Sequence, residues 1–125
     1  MAEAGLKFTK SHEWIRVEGG DAVVGLTDYA QGELGDIVFI EQPEKGKDIA
    51  SGDVLTTVES VKSVSEIFAP VSGEVVDANA ALDDDPSLIN SDPYGQGWIA
   101  KIRLRDKSEI DGTMTAEEYE ELTKG

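Results

Sequence analysis

Short runs of alternating apolar and polar residues dominate the chain, broken by glycine, proline and small polar clusters. Alternation at period two suits strands with one buried face, because successive side chains leave a strand on opposite sides. Residues 13–18 (EWIRVE) predict such a strand, Gly19, Gly20 and Asp21 a hairpin turn, and residues 22–26 the returning strand. Residues 27–31 predict a short helix, with Thr27 as N-cap and Gly35 just past its end. Residues 36–41 form the next predicted strand, followed by a turn from Pro43 to Lys47. Residues 54–59 and 64–68 then flank Ser60, Val61, Lys62 and Ser63, which predicts a tight hairpin with Lys62 near its tip. Pro70, Val71, Ser72 and Gly73 make a second turn into a strand over 74–79. Residues 80–90 read as short helical turns and loop, and 98–104 as the last strand. Thr115 and Glu118 have capping-box spacing at the start of a C-terminal helix over 115–123, whose apolar spot is Tyr119 and Leu122.

With 13 glycines and four prolines punctuating β-branched runs, the pattern is that of a mainly β protein. Its 125 residues suit one domain, and no low-complexity linker divides them. The large aromatics Phe8, Trp14, Phe39, Phe68 and Trp98 are spread along the chain, which predicts one core. The absence of cysteine excludes a disulfide framework, thiolate metal ligands and a cysteine nucleophile, so any sulfur redox chemistry must come from an attached group. No apolar run approaches the ~20 residues of a membrane-spanning helix. Residues 1–5 lack the basic or Arg-rich features of a targeting segment, so a soluble cytoplasmic protein is expected. A net charge of −15, from 26 acidic and 11 basic residues, disfavours nucleic acid, whose binding depends on cationic side chains. The same charge steers the molecule toward partners with basic patches.

Enzymatic chemistry is hard to assemble from these residues. His12 is the only histidine, so there is no histidine metal cluster, and a lone histidine beside a strand start reads as structural. Asp83, Asp84 and Asp85 lack the spacing and glycine of a calcium loop and read as an acidic loop end before Pro86. Neither a dinucleotide fingerprint nor a phosphate loop is present. Lys62 stands out by context. An enzyme that modifies a lysine needs a protruding amine, and a hairpin tip between two rigid strands supplies one. Ser60 and Ser63 leave room for such an enzyme, and Glu59, three residues before Lys62, sits where its charge can be read.

The stretch Glu59-Ser60-Val61-Lys62-Ser63-Val64-Ser65-Glu66-Ile67-Phe68-Ala69-Pro70-Val71-Ser72-Gly73 resembles the lysine-attachment motif of the H-protein family of the glycine cleavage system. Biotin carriers place methionine on both sides of their lysine, where Val61 and Ser63 stand here. Lipoyl domains of 2-oxoacid dehydrogenases carry Asp before it and Ala after it. The resemblance runs through Ser11-His12-Glu13-Trp14, Gly25-Leu26-Thr27, residues 32–39 and residues 88–98, and so covers essentially the whole chain.

The resemblance implies a flattened barrel-sandwich of two antiparallel sheets with short helices and a C-terminal helix. It implies lipoate joined as an amide to Lys62, with Glu59 and Gly73 read by the lipoylating enzyme. It also implies a carrier and not an enzyme. The pyridoxal-phosphate glycine decarboxylase loads an aminomethyl group, a tetrahydrofolate-dependent aminomethyltransferase removes the carbon, and dihydrolipoyl dehydrogenase reoxidises the dithiol. Glu13 and Glu66 are the implied lining of a cleft that shelters the loaded arm, whose ammonium needs a carboxylate partner. Competing readings are an H-like lipoyl donor in a relay to other proteins, a biotin carrier, and an acidic β-type hydrolase built on His12 and carboxylates.

Overall fold

A computed structural model describes residues 6–123, so residues 1–5, read above for targeting features, lie outside it. In chain order the elements are β1 (Lys7–Phe8), β2 (Glu13–Glu18), β3 (Asp21–Leu26), α1 (Asp28–Leu34), β4 (Ile37–Ile40), β5 (Asp48–Ile49), β6 (Val54–Ser60) and β7 (Val64–Phe68). Then follow β8 (Gly73–Ala78), α2 (Ala81–Asp84), α3 (Leu88–Ser91), β9 (Ala100–Leu104), a 3-10 segment at Lys107–Gly112, and α4 (Ala116–Thr123). The strands form two antiparallel sheets, one of six strands in the order β1-β2-β3-β9-β8-β5 and one of three in the order β4-β6-β7. Neither sheet closes on itself, so the architecture is a sandwich with open edges.

The main core fills the space between the sheets. Ile15, Val24 and Ile102 come from the six-stranded sheet, and Ile40, Val58 and Ile67 from the three-stranded one. Each such side chain, withdrawn fully from water, contributes about 1.5–3 kcal/mol. A second cluster lies on the other face of the large sheet, because period two sends Trp14 outward where Ile15 goes inward. There Phe8, Trp14, Val23 and Tyr119 pack together, with Tyr119 carried by α4. The Phe8 and Tyr119 rings stack with centroids 4.8 Å apart, and Trp14 Nε1 donates to the Pro93 carbonyl at 2.8 Å. The single core predicted from the spread of aromatics is therefore two clusters, one on each face of the large sheet.

Local chemistry sets the element ends. Thr27 Oγ1 accepts from Ala30 N at 3.1 Å, the predicted N-cap bond, while Thr115 and Glu118 exchange both bonds of the capping box. Four expectations need correction. The two-residue strands β1 and β5 have no sequence period to announce them. The last strand begins at Ala100, because Trp98 and Ile99 still belong to the incoming loop. Phe39 is 55 % exposed and belongs to no core. On α4 only Tyr119 is buried, whereas Leu122 is 48 % exposed.

Gly25 faces Trp14 across the β2–β3 ladder, and a Cβ there would stand 2.6 Å from Trp14 Nε1. Gly25→Ala should therefore lose about 1–3 kcal/mol of stability by overpacking. A lowered urea midpoint with shifted tryptophan emission is the expected result, and an unchanged midpoint would show that the indole has room to move.

Candidate functional site

The β6–β7 hairpin presents Lys62. Glu59 pairs with Val64, and Ser60 N donates to Ser63 O at 2.8 Å, leaving Val61 and Lys62 as the two tip residues. Two-residue hairpin turns normally need a positive φ, yet neither Val61 nor Lys62 has one. The Ser60 hydroxyl resolves this: its Oγ accepts from Lys62 N and from Ser63 N, both at 3.1 Å. A side chain thus replaces the missing backbone acceptor of the turn. Val61 N also donates to Asp36 O at 3.0 Å, which ties the tip to the segment after α1.

Lys62 is exposed, but its side chain is not adrift. A Cβ on Gly35 would stand 3.0 Å from Lys62 Cε and 3.7 Å from Nζ, so the amine lies over the end of α1. Gly35 stands just past the helix end, as expected, where a left-handed residue is common. Its φ of 83° and ψ of −162° belong instead to a region open essentially to glycine alone. Asn90 fixes this corner. Its Nδ2 donates to Gly35 O at 3.0 Å and to Gln31 Oε1 at 2.8 Å, while its Oδ1 accepts from Ile37 N at 2.9 Å. Sequence reasoning assigned Asn90 no role; its only signal was a polar residue following apolar Leu88 and Ile89.

A groove of about 260 Å³ lies between α1 and β7, reaching Leu34, the residue before Gly35. Tyr29, Glu33 and Leu34 form one wall, Ser65 and Glu66 the other, Leu26, Val58 and Ile67 the floor, and Ser11 with His12 the far end. His12 has a left-handed φ of 69°. Its Nδ1 meets Tyr119 OH at 2.7 Å, and that hydroxyl meets Thr27 Oγ1 at 2.7 Å. Thr27 Oγ1 also accepts the Ala30 N–H and keeps both a hydrogen and a second lone pair for Tyr119, so the three side chains form one chain of hydrogen bonds that either direction of donation satisfies. Burial holds His12 below the ordinary imidazole value, against the opposing pull of Glu33. Burial also pushes the Tyr119 phenol up to about 12.

The predicted site residues fall in different places. Glu66 is exposed on the groove wall. Glu13 is only 2 % exposed and lines a neighbouring depression of about 550 Å³ that meets the groove at Ser11, which lines both. The Glu13 carboxyl accepts from Thr9 Oγ1 at 2.6 Å and from the Phe68 N–H, and burial raises its pKa despite these bonds. Glu59 is exposed beside Lys62 in the ladder, between Phe39 on β4 and Val64 on β7. Gly73 lies in the other sheet, where a Cβ would stand 1.8 Å from Arg103 O. Close strand pairing is thus sufficient reason for glycine there. Among the described residues no cluster of His, Asp and Glu is arranged to hold a metal ion, Asp83–Asp85 included. Nor is any of their helices long and apolar enough to cross a membrane.

A family model described as glycine cleavage H-protein matches residues 6–125. The chain belongs to that family. A glycine cleavage system H protein of Thermoanaerobacter sp. (strain X514) is 55 % identical over 118 residues, covering 94 % of this chain and 93 % of that protein. One from Staphylococcus haemolyticus is 50 % identical over 117 residues, with 94 % and 93 % covered. The crystal structure of a glycine cleavage system H protein from Mycobacterium marinum superposes with a TM-score of 0.90 at 36 % identity, covering 99 % of this chain and 100 % of that one. Family membership thus accounts for the sandwich, the hairpin and the added C-terminal helix together.

The raised Glu13 carboxyl predicts a pH effect on stability. In the fold it keeps its proton at pH values where the unfolded chain has already ionised it. Its contribution is complete below the unfolded-state pKa and is lost as pH rises through the folded-state value. The stability difference between Glu13→Gln and wild type, from urea unfolding, should therefore shift in favour of Glu13→Gln as pH rises through that window. A difference that stays flat with pH would show that Glu13 is not held protonated.

Proposed function

We propose that residues 1–125 act as one cytoplasmic carrier domain, the lipoyl-bearing shuttle of the glycine cleavage system, with lipoate joined as an amide to Lys62 Nζ. The observation that carries this reading is the position of that amine, exposed at a hairpin tip and resting on Gly35, next in the chain to Leu34 of the groove wall. Lipoate supplies a cyclic disulfide that opens and closes by thiol and redox chemistry, which a cysteine-free chain lacks. The chain contributes presentation and shelter, and the partners contribute catalysis. These partners are glycine decarboxylase, the tetrahydrofolate-dependent aminomethyltransferase, dihydrolipoyl dehydrogenase and the lipoylating enzyme. Tethering makes capture by a docked partner intramolecular, at an effective concentration on the order of millimolar.

The groove gives the carried aminomethyl group a place out of bulk water. Glu66 and Glu33 offer carboxylates along its walls, and Glu13 stands beyond Ser11 at its far end. A cation arriving there favours the ionised form of Glu13, against the burial that raises its pKa.

Intact mass of native protein, with fragmentation, should place a lipoyl group on Lys62 and distinguish it from biotin. Lys62→Arg should carry no acyl group at all, because a guanidinium keeps its charge and offers no neutral amine. Native protein whose position 62 never carries lipoate would overturn the reading. Loading by purified glycine decarboxylase separates a shuttle from a lipoyl relay.

Glu66→Gln should release its carried one-carbon unit about two- to fivefold faster than wild type, the range of a partly exposed ion pair worth up to ~1 kcal/mol. Glu13→Gln should also release it faster. If both variants, once loaded, decay at the wild-type rate, the groove is not the shelter.

A further inference from the structure

Around Lys62 the outer face of the three-stranded sheet is apolar and uncovered. Val38, Phe39, Val61 and Val64 are 49, 55, 66 and 68 % exposed. Phe39, Glu59 and Val64 lie side by side across β4, β6 and β7, so they form one row on one face. A register irregularity between Ile37 and Phe39 turns both Val38 and Phe39 outward, where strict alternation would bury one of them. Irregularities of this kind commonly re-aim side chains beside functional sites. One row further from the tip stand Glu66 and Thr57, with Glu41 bonded to Thr57. None of the ion pairs found among the described residues involves Glu41, Glu59 or Glu66. The face is thus an apolar patch with the Glu59 carboxylate in its middle and Glu66 and Glu41 beyond it, beside the Lys62 cation. Acylation of Lys62 removes its positive charge and leaves Glu59 and Glu66 on this face.

We propose that this patch is the docking face for the enzyme that acylates Lys62, a protein presenting an apolar depression edged by arginine or lysine. The proposal rests on the reading of Lys62 as the acylated residue. Distance selects this partner from the others. Amide formation requires Nζ to reach bonding contact with an activated acyl carbon. Lys62 first loses one proton to become an amine. Its lone pair then attacks the carbonyl of a mixed acyl-phosphate anhydride, the bond to the leaving phosphate oxygen breaks with its electron pair, and the nitrogen gives up a second proton to a base. An enzyme doing this must cover the side chains that flank the lysine. Enzymes that work on the dithiolane meet the far end of the arm instead. The carboxylates add orientation, since opposite charges across an interface fix register and speed encounter.

Unmodified protein, incubated with a purified lipoate–protein ligase, lipoate and ATP, provides the test, with acylation followed by mass. Phe39→Thr and Val64→Thr keep β-branching while removing the exposed apolar groups, and a urea midpoint verifies each fold. The double variant should raise KM for the carrier about tenfold or more with kcat little changed, as central interface side chains do. Val17→Thr, which alters a residue 45 % exposed on β2, should leave both constants unchanged. A wild-type KM in the double variant overturns the docking face while leaving Lys62 as the acceptor. Failure of the wild type to be acylated overturns the functional reading itself. Double variant driven to full acylation with excess ligase should be reduced by dihydrolipoyl dehydrogenase run in reverse with NADH, two electrons passing from NADH to the lipoyl disulfide, at the wild-type rate. An equal loss in that reaction would show a face common to all partners and overturn the assignment to one.

Discussion

The amine of Lys62 has a defined place because α1 ends in a backbone conformation that only glycine takes without strain. Gly35 lets the chain leave the helix and turn at once into β4, and its missing side chain leaves the space that the lysine occupies. Asn90 holds that corner from below with three hydrogen bonds, and the Asp36 carbonyl holds the hairpin tip from above. The site is therefore a junction of three segments distant in sequence. A β-carbon at position 35 would strain the backbone by about 1–3 kcal/mol and also push the lysine off its rest. Stability and presentation depend there on the same missing atom.

A second constraint links the far end of the groove to the C-terminal helix. Tyr119 stacks on Phe8 under α4 and sends its hydroxyl between His12 and Thr27. The Thr27 oxygen that caps α1 therefore also belongs to this chain of hydrogen bonds, and burial of the His12 ring holds its pKa below the ordinary imidazole value. The helix appended after the sandwich thus braces the groove wall and the start of α1 at once. His12 is structural, as its solitude in the sequence implies, but at the site rather than away from it.

Much of this was legible before any coordinates. Period-two alternation locates β6 and β7, the Gly19–Asp21 turn announces β3, which is buried on both faces, and Thr27 and Thr115 announce their helices because capping is a local act. The Lys62 hairpin follows from two strands and the short polar link between them. What resisted prediction is decided across the chain. β1 and β5 exist because a longer neighbour offers them hydrogen bonds, and two residues carry no period. Phe39 reads as core by type and lies outside because a register shift in β4 turns it there. Leu122 matches Tyr119 in helical spacing, yet only the tyrosine has an aromatic cluster to enter. Glu13 and Glu66 look alike in sequence, whereas one carboxyl is nine-tenths withdrawn from water and committed to two donors while the other faces solvent.

Two of these departures, the exposed Phe39 and the buried Glu13, share a physical reading. Folding alone gives no reason to leave a phenylalanine and three valines uncovered on one sheet face, or to bury a carboxyl that loses solvation by entering. A chain optimised only for stability would put the apolar groups inside and the carboxyl outside. Here the inversions flank one amine and its groove. Elsewhere in the described residues the buried polar side-chain atoms all have partners. Single apolar side chains are exposed elsewhere, such as Val17 and Leu122, but beside the lysine Phe39 and Val64 share one row of the sheet. That distribution separates a site from a surface more firmly than any single residue does.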